Sequence, residues 1–171
     1  MAQVTETDFS QFKLRVNVKT TVENAYRAWS TPAGLASWFV NKVVFKDETG
    51  KLRTDNELAQ ENDGYAFYLS CGDNSGGLPF NGEVLKANGK DVFSFSFSKG
   101  CPVSVTIYSE HGETIIELLE SKLPTDEETM RKHYVGDSRG WIFYLTNLKS
   151  VLEGGIDLRN KNEAIKNVIT R

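Results

Sequence analysis

The stretch Gly140–Leu152, GWIFYLTNLKSVL, decides how the rest of the chain is read. Trp141, Tyr144, Leu145, Leu148, Val151 and Leu152 recur at the spacing of one helical face. Thr146, Asn147, Lys149 and Ser150 fall largely on the other side. Asp137 or Ser138 can cap the start, and Gly154-Gly155 supplies a left-handed residue to stop the helix. One broad apolar stripe needs a large apolar partner, and most of the preceding chain reads as strands. The expectation is a long terminal helix laid across one face of a curved sheet.

Working outward, Phe12–Val18 alternates Phe12, Leu14, Val16 and Val18 against polar residues, the pattern of a strand with one wet face. Thr20 stands three residues before Glu23 and opens a short helix through Ala25, Tyr26 and Trp29. Thr31-Pro32 starts a second short helix ending near Trp38-Phe39. Strands are expected at 43–45, 64–69, 80–87, 90–98, 103–107 and 113–120. Asn88-Gly89 reads as a two-residue hairpin turn, His111-Gly112 as another turn, and 71–77 as a polar loop. Residues 124–133 predict a short helix or lid before the terminal helix, and 156–171 a polar tail. Consecutive hairpins favour an antiparallel meander. A sheet that long curls, and the terminal helix closes its concave side.

The 171 residues fit one domain with a core about 10–155, and their hydrophobic fraction of 39% is that of a globular protein. A net charge of −3 argues against a nucleic-acid partner. No apolar run is long enough to span a membrane, and the first residues lack a secretory pattern, so a cytoplasmic location is expected. Cys71 and Cys101 lack metal-ligand spacing and read as reduced thiols, a disulfide being the minor alternative.

Four segments carry a family resemblance. Thr31–Phe39, TPAGLASWF, resembles the T-P-x-x-L-x-x-W-F stretch of the activator of heat-shock-protein-90 ATPase homologue-like family. Val22–Trp29 is similar to its first helix, Phe80–Val84 to its F-x-G-x-V strand, and Gly140–Gly154 to its closing helix. The resemblance covers about residues 10 to 155 and implies an α+β, START-like (SRPBCC) helix-grip fold with six to seven strands. It also implies a space between sheet and helix. Superfamily members range from lipid carriers to cyclases, chaperone activators and many uncharacterised bacterial proteins, so the fold does not choose a function. Eukaryotic chaperone activators use an additional N-terminal domain with a basic cluster or a tryptophan–asparagine motif. Neither signature is found in these residues, so a chaperone is expected as the weaker partner.

The leading expectation is a non-enzymatic protein binding a small apolar or amphipathic molecule, with Trp38, Phe39, Phe93, Phe95, Trp141, Tyr144 and Leu148 as the wall. Phe97 shares that strand face, and Tyr65, Tyr68, Tyr108 and Tyr144 offer hydroxyls to orient a ligand or to reach solvent. Glu120 follows Ile116 and Leu118 on one face; it points inward as a raised-pKa acid or ligand anchor, or reaches solvent at the strand end. His133 follows Met130-Arg131-Lys132 and reads as complementing a helix C-terminus. Glu120 and His133 are the only weak catalytic candidates; His111 reads as a solvated turn residue, and Ser94, Ser96 and Ser98 as a wet face. No metal site and no cofactor is indicated. A protein-interaction module, with a chaperone or a second copy of the chain as partner through Ile115, Leu119 or a patch near Val40, is the second expectation, and a cyclase- or hydrolase-type enzyme the third.

Overall fold

The computed structural model describes residues 8–68, 79–162, 164, 165 and 168. The chain runs β1 (Phe12–Val18), α1 (Val22–Ser30), α2 (Pro32–Trp38), β2 (Lys42–Lys46), β3 (Gly64–Tyr68), β4 (Phe80–Ala87), β5 (Val92–Ser96), β6 (Pro102–Glu110), β7 (Glu113–Glu120), α3 (Glu127–Met130) and α4 (Gly136–Leu152). Seven strands form one sheet in the order β1-β7-β6-β5-β4-β3-β2, every neighbour antiparallel. Only β1 pairs out of sequence, against β7 with Leu14 opposite Leu118 and Val16 opposite Ile116. This is the expected curved meander gripped by a terminal helix.

Local chemistry accounts for the elements. Thr21, not Thr20, caps α1: its hydroxyl accepts from Asn24 N at 3.1 Å. Thr31 caps α2 by accepting from Gly34 N, with Pro32 at the first helical position. The Asn88-Gly89 turn is wider than a two-residue hairpin, because Asn88 Oδ1 accepts from three successive amides, of Lys90, Asp91 and Val92. Gly82 pairs with Tyr65 across β3 and β4, and a Cβ there would strike the tyrosine ring. That close approach explains the glycine in the F-x-G-x-V strand.

The terminal helix differs most from expectation. Its cap is Asp126, whose carboxylate accepts from Thr129 N at 3.0 Å. The chain then passes through α3 and a π-turn over Arg131–Val135 straight into α4. Asp137 and Ser138 lie inside the helix and cap nothing. Residues 127–133 are the helix's first turns rather than a separate lid, and the π-turn is where an extra residue is absorbed. The far end behaves as expected: Gly154 has φ +79°, and Gly155 N returns to Ser150 O at 2.7 Å.

The core lies between the concave sheet face, α1–α2 and α4, and is dominated by Trp29, Trp38, Trp141, Phe67, Phe93 and Phe95. Ser94, expected on a wet face, is buried and shares a 2.9 Å hydrogen bond with Ser104. Cys101 is a buried free thiol; Cys71, Leu69 and the 71–77 loop lie outside the described residues. No helix among the described residues is long and apolar enough to cross a membrane.

Candidate functional site

Alternation along β7 sends Thr114, Ile116, Leu118 and Glu120 inward. Glu120 does not reach solvent at the strand end; it is 0% exposed. Its Oε2 accepts a 2.8 Å hydrogen bond from Trp141 Nε1, at the first turns of α4. Burial raises its pKa to about 8, with the nearby Asp137 charge adding to the rise and the indole bond opposing it. Its other oxygen, Oε1, is buried with no hydrogen-bond partner among the described residues.

A polar group surrounds this carboxyl. Asp137 stands one helical turn after His133, with Oδ2 3.3 Å from His133 Nδ1. Burial pushes the Asp137 carboxyl up, against the effect of the histidine. Ser98 Oγ lies 3.1 Å from the same His133 Nδ1. Cys101 sits alongside, its thiol donating to Lys122 O and its pKa raised by burial first and by Glu120 second. Lys99 and Lys122, flanking this corner, both hold left-handed backbone, at φ +52° and +57°. Non-glycine residues in that region are strained and gather where a local geometry is over-determined.

His133 therefore has a role different from the expected one. It sits at the π-turn in mid-helix, nearly buried, rather than at a helix C-terminus. Serine, histidine and carboxylate are all present, but both contacts converge on one ring nitrogen. A nucleophile–base–orienter relay needs the two contacts on opposite nitrogens, so the group does not form one. Among the described residues no cluster of His, Cys, Asp and Glu has the form of a metal site.

The expected wall is brought together. Trp38, Phe39, Phe93, Phe95, Trp141 and Leu148 are all buried in one core, and Tyr144 packs half-buried against it. Phe39 bridges to Trp38, Trp141 and Tyr144, with ring centroids 5.3, 5.1 and 4.8 Å apart. Phe95 reaches Trp141 at 6.4 Å and Phe93 at 5.9 Å. These are contact distances, so the rings face one another directly. Trp29, which the sequence reading used only as part of α1, lies at the centre, 4.6 Å from Trp38 and 5.9 Å from Trp141. Trp38 donates its indole N–H to Ala28 O at 3.0 Å; Trp29 Nε1 is fully buried with no partner among the described residues. A cleft of about 340 Å³ between α1 and the β4–β5 turn, lined by Val22, Tyr26, Leu58 and Lys90 among others, contains none of the wall residues.

Two of the tyrosine hydroxyls are engaged elsewhere. Tyr65 donates to Ser96 O, and Tyr108 donates to Glu117 on the outer face of the sheet. Ile115 and Leu119 are half-buried on that face, while Val40 is buried and offers no patch. His111 is exposed at its turn, as expected.

Sequence reasoning missed a second buried polar group at the other end of α4. Asn147, assigned to the wet side, is 0% exposed. It donates to Trp38 O at 2.7 Å and to Asp157 Oδ1 at 3.0 Å, and accepts from Leu158 N at 2.7 Å. Arg159 pairs with Asp157 and donates to Val40 O and Ala36 O, at the exit of α2. The segment after Gly155, read as a polar tail, is thus tied down over 157–159. No local pattern announces this: an asparagine at a helical position shows its burial only once the partners arrive.

The family described as activator of Hsp90 ATPase homolog 1-like protein matches residues 19–153. The chain belongs to this family. No curated protein matches the sequence significantly. Among solved structures, one from Staphylococcus saprophyticus superposes with TM-score 0.67 at 15% identity, over 87% of this chain and 96% of that one. The Aha1 dimer from Colwellia psychrerythraea gives 0.62 at 18%, over 85% and 97%. An AHSA1-like protein from Aeromonas hydrophila gives 0.62 at 21%, over 84% and 92%. At these identities the likeness speaks for the helix-grip fold, and the site must be argued from its own residues.

Proposed function

We propose that this protein binds a small apolar or amphipathic molecule between the sheet and α4, with the Trp141 ring at the centre of the contact. One observation carries the reading. Of the polar side-chain atoms buried without a partner among the described residues, both lie on neighbours of Trp141: Glu120 Oε1 and Trp29 Nε1. Each such atom costs about 1–3 kcal/mol. Two of them adjoining Trp141 of the aromatic wall suit a guest that brings the missing partners. Because the rings are already in contact, the guest parts them as it enters instead of filling a standing void.

Native mass spectrometry of the full chain, followed by denaturing extraction, tests this. A reproducible small-molecule adduct that is weakened by Trp141→Phe supports the reading. Protein that carries no adduct and takes up no aromatic probe refutes it. The same spectrum reports subunit number. Self-association is a second reading, supported by the exposed Val135 and Ile142 on the outer side of the terminal helix and by the dimeric state named for the Colwellia structure. A dimer whose formation is insensitive to Ile142→Lys would count against that surface.

A further inference from the structure

The groups that face Glu120 come from three elements and one turn. Phe12 of β1 and Val103 of β6 stand opposite it in register, Trp141 and Asp137 face it from α4, and Cys101 approaches from the end of the Ser98–Gly100 turn. His133 stands one contact further out, against Asp137 and Ser98. Lys99, the nearest cation from the Ser98–Gly100 turn, is exposed. No lysine or arginine among the described residues pairs with Glu120 or Asp137.

A carboxylate stripped of water, with no counter-cation and a second carboxylate nearby, holds its proton. Oε2 receives the Trp141 N–H and so acts as an acceptor. The carboxyl proton then belongs on Oε1, the oxygen without a partner. An indole N–H is a donor and nothing else. Both unpartnered atoms are therefore donors, and the group they await is an acceptor.

We infer that the guest is an uncharged aromatic or otherwise apolar compound whose polar end is a carbonyl-type oxygen, received by the Glu120 carboxyl, with Trp29 N–H as a further donor. An ammonium head brings only more donors. A carboxylate head brings an acceptor but adds an anion beside Asp137, with no cation to receive it. This inference rests on the ligand-binding reading above and adds the chemical class.

The experiment is a titration of the full chain with three shape-matched probes, benzylacetone, phenylbutylamine and phenylbutyrate, and with butylbenzene as the headless analogue. Binding is followed by the NMR signals of the three indole N–H groups. Benzylacetone is expected to bind about tenfold tighter than the other three near neutral pH, the ratio for one satisfied buried donor. Its affinity should fall as pH rises past about 8, where Glu120 gives up its proton. Glu120→Gln keeps an N–H donor at the same place, so it should bind the ketone without that pH dependence. Glu120→Leu removes the donor and should lose about tenfold. Equal or tighter binding of the amine or the acid, or a ketone affinity indifferent to Gln and Leu alike, overturns the head-group inference. Butylbenzene binding as tightly as the ketone overturns it too, while leaving the ligand-binding reading in place. If none of the four moves an indole signal, both fail.

Discussion

The two ends of the terminal helix each bury a polar group, and they do so in opposite ways. Around Asn147, Asp157 and Arg159 every donor meets an acceptor. Burial alone would raise the Asp157 carboxyl, but hydrogen bonds from Arg159, Lys161 and Asn147 hold it far below the usual range. Around Glu120, Asp137 and His133 the carboxyls are pushed up, Glu120 to about 8, and one oxygen has no partner. A satisfied network stabilises a fold and does little else. An unsatisfied one is retained at a cost, which makes it the better candidate for function.

The comparison can be broken or sharpened by substitution. The largest effect is expected from Arg159→Ala, which takes the guanidinium from Asp157 and leaves the carbonyls of Ala36 and Val40 without their donor. It should cost about 2–4 kcal/mol in a denaturant titration, because one member of a nearly buried pair is removed. Acid should weaken the same end: Asp157 contributes stability above its ordinary value of 3.8, and that contribution is lost as pH falls toward its depressed folded value.

The Glu120 end should respond with the opposite sign. Unfolded, the carboxyl gives up its proton near 4.5; folded, it keeps it until about 8. Between these values the folded state binds more protons, so stability falls as pH rises through that window. Glu120→Gln removes the slope and should make the protein more stable than the parent near pH 8, by about 1–3 kcal/mol. A variant that is less stable at that pH would mean the carboxyl is paired after all.

Trp141→Phe should cost about 1–2 kcal/mol, through the lost indole bond and the smaller ring. It should also raise the Glu120 titration further, since the indole is the one contact drawing it down; carboxyl-carbon NMR reads this directly. The smallest effect is expected at Arg131, which pairs with Glu127 on the exposed side of the same helix. Arg131→Ala should change stability by less than about 0.5 kcal/mol.

Strand alternation was legible because it is local: Phe12–Val18 and Glu113–Glu120 each declare their buried face within eight residues. The Thr31-Pro32 start and the Gly154 stop were legible for the same reason, since a cap is made by residues a few positions apart. The aromatic wall could be gathered from the phase of β5 and α4, and its members do meet. The helix's true start was not legible. A π-turn shifts the phase at Arg131–Val135, so residues before it no longer match the stripe that follows.

The sequence by itself determined the elements, their order, the inward face of each strand and hence the helix grip, because period and capping act over a few residues. The tertiary structure alone decided which inward polar groups are satisfied. Asn147, assigned to the wet side of its helix, and Glu120, left open at its strand end, are both fully buried. Yet one is met by Trp38 O and a returning Asp157–Arg159 segment, and the other by a single indole and no cation. Partners of that kind come from residues far away along the chain, and their presence or absence is what turns a buried polar side chain into a latch or into a site.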